Sequence, residues 1–158
     1  MKNAWQQSPV DTVAEKLFKV LGILGEQNEQ IKHLDHWLEI IPNSAPATLY
    51  KAINYQQTMQ KTKAMDAYEK VLEVAPNNVM ALNNLGWIYF EKSDDRALPT
   101  LKKAAELAPE SPAVLDSYGW VLAKNGQKAE GLKYLEKAHK LAPDMAEIKA
   151  HLDEVKGQ

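Results

Sequence analysis

Cysteine is absent from the chain, which excludes a disulfide framework, a thiolate metal site and a cysteine nucleophile. Oxidising and reducing compartments are both open to such a sequence. An excess of basic charge is missing too. The 19 lysines and arginines face 21 acids, so the counterion release that drives phosphate binding has little to work with. Nucleic acid is not expected as the main partner. No apolar run approaches the roughly 18 to 20 residues of a membrane helix, and residues 1–12 lack the apolar stretch of a signal peptide. A glycine-rich phosphate loop, a GxSxG elbow and an HExxH pair are likewise missing. No enzymatic activity, cofactor or metal is therefore expected. His33 and His36 share a helix face, but no third ligand accompanies them and they read as solvated histidines. His139 and His151 stand alone. Acids fall in pairs such as Glu136 with Lys140 and Glu26 with Gln30, which read as solvated faces.

What is present is an ordinary globular composition, 45% hydrophobic and 25% charged over 158 residues, enough for one domain with a core. It is also periodic. Pro42, Pro76, Pro109 and Pro143 stand at intervals of 34, 33 and 34 residues. Behind them residue types recur in phase: Leu82, Leu85, Gly86 and Tyr89 match Leu115, Tyr118, Gly119 and Leu122. A second series runs Ala64, Tyr68 and Val71, then Ala97, Leu101 and Ala104, then Gly131, Leu135 and Ala138. Spacings of three and four put each set on one helix face, so every unit holds two helices. Gly86 and Gly119, with Ala52 in the matching place, sit inside a helix where glycine costs about 1 kcal/mol relative to alanine. A close helix crossing offsets that cost, with Ala64, Ala97 and Gly131 as the facing small residues. Turns follow at Lys124–Gln127 and, one residue shorter, at Ser93–Asp95, where a serine or aspartate is expected to cap the second helix. Pro99 falls about one turn into that helix and predicts an irregular start.

This pattern resembles the tetratricopeptide repeat, whose unit of roughly 34 residues carries Leu-Gly-x-x-Tyr on helix A, a small residue on helix B and a closing proline. Leu85-Gly86-Trp87-Ile88-Tyr89 and the endings Leu107-Ala108-Pro109 and Leu141-Ala142-Pro143 carry the likeness. It implies an all-α fold, a right-handed superhelix (alpha-solenoid) of helix-turn-helix repeats. Residues 43–76, 77–109 and 110–143 are the expected regular repeats. Residues 10–42 form a degenerate one, because Phe18 and Gln30 replace the small packing residues. Residues 144–156 read as a capping helix with Ile148, Leu152 and Val155 on one face. Ala4 precedes Pro9 by the offset of Ala104 from Pro109, so residues 1–9 are expected to be the remnant of a preceding repeat, open to self-association at that end.

On the helix A face away from the packing stripe lie Asn83, Trp87 and Phe90. Their equivalents are Asp116, Trp120 and Ala123 in the following unit, and Leu49, Ile53 and Gln56 in the preceding one. The resemblance implies that this face lines the concave groove that holds peptide ligands. The expected groove residues are Leu49, Ile53, Asn83, Trp87, Phe90, Asp116, Trp120 and Lys124. For the two tryptophans, ligand contact and packing against a neighbouring helix are both open. Trp5 and Trp37 are expected in the core. The basic carboxylate clamp of chaperone adaptors is not expected, because Leu49, Ile53, Ala113 and Ser117 occupy its places. The run Asn83–Trp87, the Asp94–Ala97 turn and Ser111–Asp116 look like the C-terminal repeats of long bacterial proteins of envelope and polysaccharide-export systems, including exosortase-associated lipoproteins. That likeness implies a periplasmic location if the chain belongs to a longer exported protein, and a cytoplasmic one otherwise. The expected function is a scaffold holding a protein or peptide. The alternative is a structural spacer in a longer array. Since the regular repeats and cap lie in residues 43–156, limited proteolysis should trim the N-terminal side first; survival of residues 1–41 with loss of the last helix would contradict the assignment of the degenerate end.

Overall fold

The computed structural model describes residues 8–157, so the expectations for Ala4 and Trp5 lie outside the described residues. All regular structure among them is helical: α1 (Pro9–Ile23), α2 (Gln27–Ile40), α3 (Ala45–Gln57), α4 (Lys61–Val74), α5 (Val79–Glu91), α6 (Ala97–Leu107), α7 (Pro112–Lys124), α8 (Lys128–Leu141) and α9 (Ala146–Gly157). Helix approaches group into two units, Met1–Asn78 with α1 to α4 and Val79–Gln158 with α5 to α9.

The periodic prolines act one residue upstream of themselves. Ile41, Ala75, Ala108 and Ala142 each precede one, and all four leave the helical region, with φ between −129° and −140°. A residue before proline is pushed toward extended backbone, so α2, α4, α6 and α8 stop there. Within each helix pair the turn needs one residue at positive φ. Gly25 and Gly126 supply it at φ 75° and 83°, whereas Met59 and Ser93 are held at 59° and 54° against the side-chain cost of that conformation.

In the short turn after Ser93 the cap differs from the expectation. Arg96 is the N-cap of α6 and makes no side-chain cap bond. Asp94 instead accepts from the Arg96 backbone N–H at 2.9 Å and from its guanidinium at 2.8 Å, and the Arg96 side chain draws the Asp94 carboxyl down to about 2. Its carboxylate is occupied by the turn it closes. Pro99 is the third residue of α6, where no intrahelical N–H bond is lost, and α6 runs 11 residues against 14 for α8.

The first unit is organised by a buried carboxylate. Asp11 is 7% exposed. It accepts from Trp37 Nε1 at 2.9 Å and from the hydroxyls of Ser8 and Ser44, the latter also capping α3. Burial alone pushes this carboxyl up, but the bonds from Ser44, Trp37 and Ser8 outweigh it and hold it below the ordinary value. Trp37 is thereby fixed in the core at 1% exposure, beside Leu34, Ala14 and Ala47. Two polar residues read as solvated prove to be inside contacts. Gln30 donates to the Phe18 carbonyl at 3.0 Å and fills the space over Gly22, and His33 Nε2 meets the Ala14 carbonyl at 2.8 Å. Where Phe18 and Gln30 replace the small residues of the regular repeats, hydrogen bonds from α2 to α1 carbonyls join the helices.

In the second unit the crossings are close. A methyl on Gly119 would stand 2.8 Å from the Gly131 carbonyl oxygen, and one on Gly131 would stand 2.5 Å from that of Gly119. Over Gly86 the facing group is the Leu101 side chain, 2.6 Å from where a methyl would be, rather than Ala97. α9 buries Ile148, Leu152 and Val155, with Leu152 and Val155 packed on Leu135 of α8.

Gly119→Ala should therefore cost about 1 to 3 kcal/mol by overpacking, while Gly126→Ala, with open space around it, should cost about 1 kcal/mol through backbone strain alone; urea unfolding followed by circular dichroism measures both. Asp11→Asn should lose about 1 to 3 kcal/mol at neutral pH. The native Asp11 carboxyl titrates below the unfolded range of about 4, so its contribution is complete above that range and disappears as pH falls through the native value. Unfolding midpoints measured from neutral to about pH 2.5 should fall less steeply in the variant than in the parent.

Candidate partner-binding face

The phase of the repeat places α5 and α7 side by side with matched positions: Asn83 with Asp116, and Trp87 with Trp120. Each tryptophan follows a packing glycine, so about 100° of helix rotation turns it off the helix crossing. Both are half-buried. Trp87 lies 5.7 Å from Phe90, ring centre to ring centre. The two tryptophans are not equivalent, because α9 reaches one of them. His151 stacks on Trp120 at 4.2 Å and stands 6.4 Å from Trp87. Trp120 also packs with Ala123 and Leu132 on the cluster of Leu135, Leu152 and Val155. Lys124 sits over the Trp120 ring at 4.2 Å and pairs with Glu154 of α9 at 2.6 Å.

His151 was not a sequence candidate, yet it joins the face. Its signal is the phase, since it stands eight residues after Pro143, as Asn84 follows Pro76 and Ser117 follows Pro109. Reading the last helix as a further helix A would have found it. His151 Nδ1 lies 2.8 Å from Asp116 Oδ2, and with a carboxylate opposite, the ring nitrogen is the donor. Asp116 is 6% exposed. Its other oxygen, Oδ1, has no hydrogen-bond partner, and neither does the buried Oδ1 of Asn83. Burial pushes the Asp116 carboxyl up, the bond and charge of His151 oppose this, and nearby Glu147 adds to the rise.

Leu49 and Ile53 lie half-buried on α3 of the first unit, which is described by itself. A different face of α3, with Thr48, Lys51 and Tyr55, borders a pocket of 390 Å³ that Leu38 and Lys63 also line. Lys51 there is paired with Asp35 at 2.7 Å, and its ammonium is held above the ordinary value chiefly by that bond. No group of three or more metal-ligating side chains occurs among the described residues, and no described helix is long and apolar enough to cross a membrane.

Three family models described as the tetratricopeptide repeat match residues 47–78, 67–97 and 113–145. The chain is a tetratricopeptide-repeat protein. Its fold is the all-α solenoid of that family, as solved structures also show. PilF of Pseudomonas aeruginosa is 26% identical, over 94% of this chain and 69% of that one, with a TM-score of 0.78. YrrB, described as a repeat protein with an unusual peptide-binding site, is 20% identical over 96% and 84%, with a TM-score of 0.73. The first repeat domain of Spaghetti, bound to an HSP90 peptide, is 20% identical over 72% and 90%, with a TM-score of 0.66. No curated protein matches by sequence.

An ionised carboxylate buried with one oxygen unmatched lowers stability. In this tetratricopeptide protein Asp116→Asn keeps an acceptor for His151 and removes the charge, so its melting temperature at neutral pH should equal or exceed the parent's. A marked drop in calorimetry would show that the carboxylate serves the fold rather than the face.

Proposed function

We propose that this tetratricopeptide protein is an interaction scaffold, without catalytic activity, whose second unit holds an extended segment or helix of a partner protein against the shared face of α5 and α7. The observation that carries this reading is the half-buried aromatic pair Trp87 and Phe90, on the helix face that also holds buried acceptors without donors. Aromatic anchors of this kind concentrate binding energy. The peptide-binding site described for YrrB and the HSP90 peptide bound to Spaghetti are consistent with it. Leu49 and Ile53 are the corresponding candidates on α3. The likeness of Asn83–Trp87 and Ser111–Asp116 to repeats of export-system proteins supports a place in a bacterial envelope or polysaccharide-export assembly.

One observation favours the spacer reading for part of this face. Trp120 is packed by His151, Lys124 and the α9 cluster, as a residue that stiffens an array would be. The two readings separate on two variants. Trp87→Ala should abolish capture of partner from the source organism's lysate while shifting the melting temperature little. Trp120→Ala should also cost roughly 2 to 4 kcal/mol of stability, because a packed ring is removed. Unchanged capture by a folded Trp87→Ala protein would leave the spacer.

A further inference from the structure

We propose that the face formed by Asn83, Trp87, Asp116 and His151 receives an arginine guanidinium from the partner segment. This rests on the interaction-scaffold reading and specifies the chemistry of its ligand.

Two buried acceptors of the face have no donor. Asp116 is more than nine-tenths buried; His151 occupies Oδ2, and Oδ1 is without a partner. Asn83, at the same repeat position on α5, has a buried Oδ1 in the same condition. Buried polar atoms are nearly always matched in native proteins, and a donor-rich ligand completes both. Glu147 adds negative charge beside them, close enough to act on the Asp116 carboxyl, and the neighbouring cation, Lys124, is already joined to Glu154.

The aromatic surface fits the same ligand. Aromatic faces, indole above all, attract cations within about 6 Å, and this unit uses that attraction twice, with Lys124 over Trp120 at 4.2 Å and Arg96 over Tyr89 at 4.1 Å. Among the described residues no cation stands over Trp87. A guanidinium brings five donors in a plane that stacks on indole and bonds a carboxylate at its edge. An ammonium meets the charge but not the plane. An acidic ligand would face Asp116, and a purely apolar one would leave both acceptors unmatched and dry.

The test is an NMR titration of the full chain, following the indole N–H signals of Trp87 and Trp120, with three probes: N-acetyl-arginine amide, its uncharged citrulline counterpart and N-acetyl-leucine amide. The arginine probe should move both signals saturably, leave Trp37 in place, and bind about tenfold more tightly than citrulline, as a charge-assisted contact does. Asp116→Asn should bring arginine down to the citrulline affinity. Trp87→Leu, which leaves that carboxylate intact, should weaken the arginine probe while circular dichroism is unchanged. Citrulline or leucine moving the two indoles as strongly as arginine would overturn the guanidinium assignment yet keep the face as a binding surface. Movement of neither indole by any probe would overturn the assignment as well, and lysate capture by Trp87→Ala then judges the scaffold reading separately.

Discussion

Two helices whose backbones nearly touch, at Gly119 and Gly131, set the geometry from which the second unit follows. Neither glycine can gain a methyl without entering the other's carbonyl, so the pair α7 and α8 has one available depth and rotation. Rotation decides everything projecting from α7. With Gly119 pinned to the crossing, Leu115 and Leu122 are buried, and Trp120, one step round the helix, is carried off the packing stripe. Gly86 against Leu101 does the same for Trp87. The candidate face is thus a geometric consequence of the core.

That dependence explains which features could be read from residues alone. Helix pairs, their ends and the phase of each face come from local chemistry: the extended residue before each proline, the spacing of three and four, the small residue at a crossing. Such features are carried within one helix and its flanking turn. Side-chain partners chosen between helices are not. Gln30 looks like a solvent residue beside Glu26, but it stands where α6 and α8 carry Ala97 and Gly131, and it reaches over Gly22 to the Phe18 carbonyl. His33 and Asp11 likewise find partners on other helices, with 19 residues separating His33 from Ala14 and 26 separating Asp11 from Trp37. The cap expected from serine or aspartate failed for a related reason. The turn after Ser93 is one residue short, and Asp94 closes it onto Arg96 instead of reaching the helix.

The two ends of the face illustrate how packing and recognition divide one repeat position. Trp120 has a helix beyond it, and α9 supplies His151, Glu154 and an apolar stripe that cover it. Trp87 occupies the same position one repeat earlier, with the Phe90 ring at 5.7 Å and the His151 ring farther off at 6.4 Å. Identical phase therefore gives two half-buried tryptophans with different neighbours, one packed by α9 and one beside Phe90, with Asp116 buried and half satisfied. Cores rarely keep such a carboxylate for stability.

The candidate face requires Trp87 to be reachable by solvent while Trp37 is sealed in helix packing. Paramagnetic broadening of the indole N–H signals by a neutral gadolinium chelate measures this directly in the free protein. Strong broadening of Trp87, with Trp37 spared, is the result expected from their half-buried and 1% exposed positions. Equal protection of Trp87 and Trp37 would contradict it, since the face would then be interior and no partner could reach its acceptors.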